Sequence, residues 1–516
     1  MRSDHFPNIP AILQTATRSH PERTAIIFGQ NNFTYRNVYE KAQDCSLKLQ
    51  AFNIQKKDRI ALLLDNSPEF VFAYFGILMA GAIVVPVNHL FKRDEIKYIL
   101  EDSGSIGLVT SPIYKEVAEE LNVMVESLQH ILYTKSGNAP TGAVPQNRKH
   151  VQHPKREDMA VFLYTSGTTG HPKAAMLTHG NLLANIASSS QAIDVTKRDA
   201  IVCFLPLFHS FAATVCMLMP LANGARMVIL KSPRPIKKIV RTIQKNKVTI
   251  FVGIPSIYNI LKDTRWSKFL PGFLLRIFNP VRLAISGAAA LPAEIFKAFE
   301  RKYRLPLLEG YGLTEASPVV SLNPLRGQRK AGSIGLPIPG VRVKIIDESG
   351  EELKTEQVGE LCVHGPNVMQ GYYKRDEENA VALKDHWLRT GDMAKMDHQG
   401  YIFIMGRKKE MINVRGLNVY PREIEEVLYQ HPHIKEAAVV GLPDPHKGEV
   451  PKGFVVLKNP GSLSEHEVVV YLRERLALYK VPRQIEMRTA LPKNTSGKIL
   501  KRILVEESLN VLARRD

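Results

Sequence analysis

The sequence predicts an α/β protein: a large N-terminal unit of mostly parallel sheets covered by helices, then a small α+β unit. Three observations point there. Short apolar, β-branched runs alternate with helical periods through most of the chain. At 516 residues the chain is too long for one core. After about Tyr373 the texture changes to short strands and turns, and the charged stretch Arg407-Lys408-Lys409-Glu410 precedes a compact remainder. The division is therefore expected at 1–408 and 409–516.

Strands are expected at Ile60–Leu64, Ile83–Val87, Ile106–Val109, Val161–Tyr164, Ile201–Leu205, Met227–Leu230, Ile250–Val252 and Leu283–Ile285, with helical stretches such as Glu95–Leu100 and Ala293–Tyr303 between them. The apolar run from Phe70 to Val87 resembles a membrane span at first sight. However, Ser67 can cap a helix, Pro68 suits its first turn and Gly81 its end. A helix over Pro68–Ala80 is about 20 Å long against a hydrocarbon core of about 30 Å. The run therefore reads as a buried helix followed by a buried strand. Lys135–Asp158 is polar and reads as an exposed connector. In the small unit, Pro421 opens a helix with Glu423 in its first turn and Ile424, Val427 and Leu428 on one face.

Composition narrows the class. Cys45, Cys203, Cys216 and Cys362 are scattered, with no zinc or disulfide pattern, so a reducing, cytoplasmic location is expected. The net charge of +19 favours polyanions such as nucleotides, coenzyme A or acidic headgroups. The basic residues are dispersed, which argues against a nucleic-acid groove. No signal-peptide core follows Met1, and no membrane anchor is visible, so membrane contact is expected to be weak and peripheral at most.

The most informative stretch is Tyr164-Thr165-Ser166-Gly167-Thr168-Thr169-Gly170-His171-Pro172-Lys173, directly after an apolar strand. Glycines let backbone N–H groups converge on an anion, hydroxyls add donors, and Lys173 adds a point charge. Such a string arises by chance with odds on the order of 10⁻¹⁰. It is not a Walker loop, which needs Gly, four residues, then Gly-Lys-Ser/Thr. Thr165, Ser166, Gly167, Thr168, Thr169, Gly170 and Lys173 are the candidate phosphate-binding residues.

Five more motifs follow in order: Ser286-Gly287-Ala288-Ala289, Tyr311-Gly312-Leu313-Thr314-Glu315, Arg389-Thr390-Gly391-Asp392, Gly406-Arg407 through Gly416, and Pro492-Lys493-Asn494-Thr495-Ser496-Gly497-Lys498. Together with the loop they resemble the adenylate-forming superfamily over essentially the whole chain, and most closely its medium- and long-chain fatty acyl-CoA synthetases. The resemblance implies a distorted β-barrel within the large unit and a mobile small domain that carries Lys498. It also implies ATP-dependent activation of a carboxylate to acyl-AMP, then transfer to coenzyme A.

Residue by residue, the resemblance makes Glu315 the Mg²⁺ ligand, a hard carboxylate oxygen for a hard cation. Thr314 donates to the α-phosphate. Asp392 accepts from the ribose hydroxyls, with Arg407 as a second contact. Ser286, Gly287 and Ala288 wall the adenine, and Tyr311 and Gly312 complete the nucleotide site. Lys498 stabilises charge developing on oxygens of two molecules at once. Lys409 stands at the hinge and Gly416 on the pantetheine channel. His209 is a gate near the acyl pocket. One departure is Ala174, where many relatives have glycine.

Amino-acid-activating relatives place an aspartate near Phe208-His209. Ser210 to Met217 hold no carboxylate here, so a buried ammonium would be unpaired. Gly312, where acetate-activating relatives carry tryptophan, is expected to leave room for a longer chain. Phe208, Phe211, Val252, Ile254 and Ala289 are the candidate tunnel residues, each buried methylene contributing about 0.8 kcal/mol. The nearest alternatives are an acyl-AMP ligase that loads a carrier protein, an aryl-acid ligase, and a non-enzymatic basic nucleic-acid-binding protein. The presence of Glu315, Asp392 and Lys498 together argues against the last of these.

Overall fold

A computed structural model describes residues 6–134, 154–165, 172–232, 235–264, 280–444, 448–494 and 497–512. Most of the expected connector 135–158 lies outside the described residues.

The large unit is built on two mostly parallel sheets. One has nine strands, with Thr24–Phe28, Arg226–Ile229, Ala200–Cys203, Ile250–Gly253, Leu283–Ser286 and Leu307–Gly312 running parallel across it. Antiparallel strands close both edges. The other has six strands, with His130–Tyr133, Gly107–Thr110, Arg59–Leu63, Ile83–Pro86 and Met159–Thr165 parallel and Lys173–Thr178 antiparallel at the edge. All eight expected strands lie in these sheets. They are buried on both faces, which is why they read as continuous apolar runs.

The helix at Pro68–Met79 forms as its caps dictate. The Ser67 hydroxyl accepts from Phe70 N, and the chain turns at Gly81 with φ +79°. It is buried nearly all round. Among the described residues, no helix is long and apolar enough to cross a membrane.

The strands expected to form a distorted barrel make a five-stranded antiparallel sheet from Arg342–Ile346, Gly359–His364, Trp387–Met396, Leu383–Lys384 and Ile402–Arg407. The bridge Gly335↔Ile402 ties it to the nine-stranded sheet.

After the turn Lys408–Glu410 the small unit begins. A second five-stranded sheet, centred on the long hairpin Ile434–Asp444/Gly448–Leu457, packs against helices Pro421–Gln430, Glu465–Arg473 and Lys501–Leu512. Its apolar interior is its own: Ile412, Ile424, Leu428 and Val455 on one side of the sheet, Phe454, Leu491 and Leu504 on the other. Helix Pro421–Gln430 meets the large unit through polar groups. Ala293 N donates to Glu426 Oε2 at 3.2 Å, and Arg422 Nη2 lies 3.9 Å from Glu309 Oε1. Glu309 is 1 % exposed, accepts from Leu291 N at 3.0 Å, and leaves Oε2 without a partner among the described residues. Burial pushes its pKa up to about 7, against the opposing pull of Arg422.

Candidate active site

In parallel sheets, loops gather beyond the C-terminal ends of the strands. Met159–Thr165, Leu283–Ser286 and Leu307–Gly312 end together here, and with the last loop of the small unit they enclose a cavity of about 1510 Å³. Thr165, Lys173, His209, Ser286, Gly287, Ala288, Tyr311, Gly312, Thr314, Glu315, Arg407 and Lys498 all stand on its wall. Lys409 does too, from the turn that joins the units. Residues more than 300 positions apart in the chain thus face one space. Ser166, Gly167, Thr168, Thr169 and Gly170 lie outside the described residues.

Asp392 and Arg407 are register partners on adjacent strands. Arg407 Nε donates to Asp392 Oδ1 at 2.8 Å and Tyr311 Oη donates to Oδ2 at 2.5 Å, so both carboxylate oxygens are engaged. Asp392 is 4 % exposed and is not itself on the cavity wall; Thr390, Gly391 and Arg407 are. Burial raises its pKa, opposed chiefly by Arg407. Gly416 is also off the wall. With Arg415 it forms the turn between Ile412–Val414 and Leu417–Val419, both residues at positive φ, as a tight hairpin turn requires.

Glu315 follows Thr314 in the short helical turn Thr314–Ala316. Its Oε1 accepts from Tyr372 Oη at 2.8 Å, and its main-chain oxygen accepts from Met369 N at 2.8 Å. The Thr314 and Ser210 hydroxyls are 3.3 Å apart. His209 Nδ1 accepts from Phe211 N at 3.3 Å, which leaves the proton on Nε2. Burial lowers the His209 pKa, so the ring is neutral near pH 7. Among the described residues, no cluster of three or more His, Cys, Asp or Glu is placed to hold a metal alone. Glu315 on the cavity wall suits Mg²⁺, which takes one or two carboxylates and completes its shell with phosphate and water.

Lys498 is held through contacts of its neighbours Asn494 and Gly497. Asn494 Oδ1 accepts from Lys498 N at 2.9 Å, and Asn494 O accepts from Gly497 N at 2.9 Å. Gly497 has φ +78°, and a Cβ there would lie 2.6 Å from Ile254 Cδ1 of the large unit. Glycine is what lets the backbone at this position approach Ile254 so closely. The Lys498 ammonium is open to water within the cavity yet surrounded by protein. Loss of bulk solvent lowers its pKa, Arg407 adds repulsion, and Glu410 and Asp392 oppose both.

The acyl-pocket expectations hold only in part. Phe208 and Phe211 line the cavity, but Val252 is wholly buried in the sheet core, Ile254 packs beneath Gly497, and Ala289 is not on the wall. In their place stand Ile193, Val215, Met219 and Leu322. Val215 is presented by a π-helical stretch, Ala212–Leu218. Gly312 does face the cavity, but its lack of a side chain also has a local cause: a Cβ there would sit 2.1 Å from the Pro318 carbonyl oxygen. Tyr372 and Glu378 were missed. Glu378 Oε1 lies 3.0 Å from Lys173 Nζ. Only the aromatic pair after Gly371 and the acidic run 376–378 hinted at them.

Comparison with known proteins agrees with this geometry. Residues 13–373 match the family model described as AMP-binding enzyme, and 423–498 match the AMP-binding enzyme C-terminal domain. The chain is 36% identical to the long-chain-fatty-acid–CoA ligase of Bacillus subtilis, over 97% of this chain and 95% of that protein. It is 34% identical to a feruloyl-CoA synthase of Amycolatopsis, over 94% and 96%. The solved o-succinylbenzoate coenzyme A synthetase of Bacillus subtilis, in complex with ATP and magnesium ion, superposes with a TM-score of 0.85 at 28% identity, covering 96% of this chain and 99% of that one. On the cavity, the two-unit architecture and these full-length matches, the chain belongs to the AMP-binding enzyme family.

Proposed function

We propose that the protein is an ATP-dependent fatty acyl-CoA synthetase for medium- or long-chain acids. One observation carries this reading. Thr314, Glu315, His209 and Lys498 share a cavity whose wall continues into the apolar side chains Phe211, Val215, Met219 and Ile193. The fatty carboxylate attacks the α-phosphorus of ATP, the bond to pyrophosphate breaks, and an acyl adenylate forms. The coenzyme A sulfur then attacks the acyl carbon, and AMP leaves with the bonding pair.

Lys498 holds the attacking carboxylate and meets the charge growing at the α-phosphate, where Thr314 also donates. Lys173 and the loop before it hold the outer phosphates. Ser286 to Ala288 wall the adenine. Asp392 receives the ribose once Arg407 gives up part of its ion pair. Glu315 would hold Mg²⁺, oriented by Tyr372; the ion supplies neutralisation of phosphate charge. His209, neutral, stands between nucleotide and acyl pocket. The small unit turns about Lys409 after the first step and brings Gly416 to the pantetheine path. The absence of any carboxylate from the buried stretch Ala212–Leu218 supports alkyl over amino acids. Buried free thiols support a cytoplasmic setting, and the net charge of +19 supports weak contact with acidic membrane surfaces.

An aryl acid is the second reading, favoured by the likeness to a feruloyl-CoA synthase. Acid-dependent AMP release from ATP, measured with coenzyme A and a series from about C4 to C20 plus ferulate, separates the two. Burial predicts a rise with chain length and then a fall. Release with ferulate alone supports the second reading, and no release with any acid overturns both. Acyl transfer to a carrier protein but not to coenzyme A would overturn the choice of acceptor.

A further inference from the structure

Lys173 is more constrained than a phosphate-binding lysine needs to be. It begins the strand Lys173–Thr178, is 9 % exposed, and lines the cavity. Its ammonium is 3.0 Å from Glu378 Oε1 and 5.6 Å from the centre of the Tyr372 ring. Glu378 stands on the short helix Asp376–Ala382 and also lines the cavity, where it is about one-third exposed. The helix is fixed in place. Asn379 accepts from Tyr372 N at 2.6 Å and donates to Tyr372 O at 2.9 Å, while Tyr372 Oη donates to Glu315. Lys173, Glu378, Tyr372 and Glu315 therefore form one connected polar group along one side of the site. The hydrogen bond from Lys173 holds the Glu378 carboxyl below the usual glutamate range, so it is an anion at neutral pH.

A carboxylate paired with the phosphate-binding lysine is an unexpected resident in a pocket for a polyanion. It repels incoming phosphate, and its partner ammonium is the very group that phosphate needs. The arrangement makes sense as an exchange. A nearly buried ammonium needs a counter-anion at every stage, because leaving it unpaired is costly. With no nucleotide bound, Glu378 fills that role. With the triphosphate bound, phosphate oxygens take it over. When pyrophosphate is ready to leave, Glu378 competes for the lysine again.

We propose that Glu378 is an internal counter-anion for Lys173 that is displaced by the outer phosphates of ATP, and that it sets polyphosphate affinity and speeds pyrophosphate departure. It is a positioning residue, acting through Lys173. The inference rests on the reading of the cavity as an ATP site, but it adds a residue beyond the nucleotide contacts already named.

The test uses the full-length protein and the variants Glu378→Gln, Glu377→Gln and Lys173→Met. Dissociation constants are measured by calorimetry for Mg·ATP, Mg·pyrophosphate and AMP. Glu378→Gln is expected to tighten ATP and pyrophosphate by about tenfold and to leave AMP, which has no outer phosphates, within about twofold. Glu377→Gln, which removes a neighbouring cavity charge without touching the ion pair, is expected to have a much smaller effect. In the Lys173→Met background the Glu378→Gln effect should vanish, as a coupled pair requires. In turnover, pyrophosphate should become a stronger product inhibitor of Glu378→Gln. Equal changes for AMP and pyrophosphate, or an unchanged effect without Lys173, overturn the inference while leaving the ATP site intact. Failure of the wild-type protein to bind ATP at all overturns the proposed function, and this inference with it.

Discussion

Glu309→Gln gives a stability change whose pH dependence is set by one buried group. Glu309 is 1 % exposed, and burial moves its carboxyl from an ordinary 4.5 to about 7. Because the folded value is raised, the fold favours the neutral form. That advantage is complete below about 4.5 and is lost as pH climbs through about 7. At about 1.4 kcal/mol per pH unit, ionising Glu309 within the fold costs about 3 kcal/mol more than in the unfolded chain. About 2 kcal/mol of this develops between pH 5.5 and pH 8. Glutamine keeps the acceptor for Leu291 N and never ionises, while Arg422 retains Glu426 at 3.6 Å and the Gly332 carbonyl. A large cooperative unit of roughly 400 residues moves about 1 °C in melting temperature per kcal/mol. Scanning calorimetry from pH 5.5 to 8 should therefore show the variant gaining about 2 °C on the wild type as pH rises. A gap that stays constant, or narrows with rising pH, refutes a buried ionising carboxyl at this seam.

Four further outcomes are expected. Lys498→Ala should slow acid-dependent pyrophosphate exchange by about 10²- to 10³-fold yet spare thioester formation from supplied acyl-AMP, and equal loss in both steps contradicts its assignment to the first. Gly416→Leu should do the reverse, slowing transfer to coenzyme A while exchange persists; a normal transfer rate rules out a role for that hairpin in the second step. Val215→Phe should cut kcat/KM for the longest acids by about fourfold per methylene that no longer fits, and a chain-length profile identical to wild type would remove Val215 from the acyl wall. Tyr372→Phe should raise the Mg²⁺ concentration for half-maximal rate by about tenfold with AMP affinity unchanged, and an unshifted Mg²⁺ curve would separate Tyr372 from the Glu315 site.

The parts that could be read from sequence are those whose physics is local. Ser67, Pro68 and Gly81 mark a helix without help from elsewhere, and the strands of a doubly covered sheet announce themselves as apolar runs. The cavity residues came from ordered motifs, and twelve of the fourteen described candidates stand on its wall. What escaped was decided by three-dimensional pairing. Tyr372 reaches Glu315 across 57 positions, and Glu378 reaches Lys173 from a short helix whose acidic run does not say which residue it will meet. Val252 and Ile254 look like tunnel residues in sequence because an apolar residue at a strand end looks the same whether it faces a core, a neighbouring turn or a ligand. The π-helical turn that presents Val215 has no compositional mark. Gly312 suggested open space, but the Pro318 carbonyl is an equally strong reason for glycine there.

The small unit keeps its aliphatic side chains to itself, and its first helix touches its larger neighbour through ions and amides. Lifting that helix away would mainly wet groups that water already welcomes, so little greasy surface resists the change of posture. The timing of such a movement can then be governed by which anion occupies the cleft rather than by the stickiness of the seam.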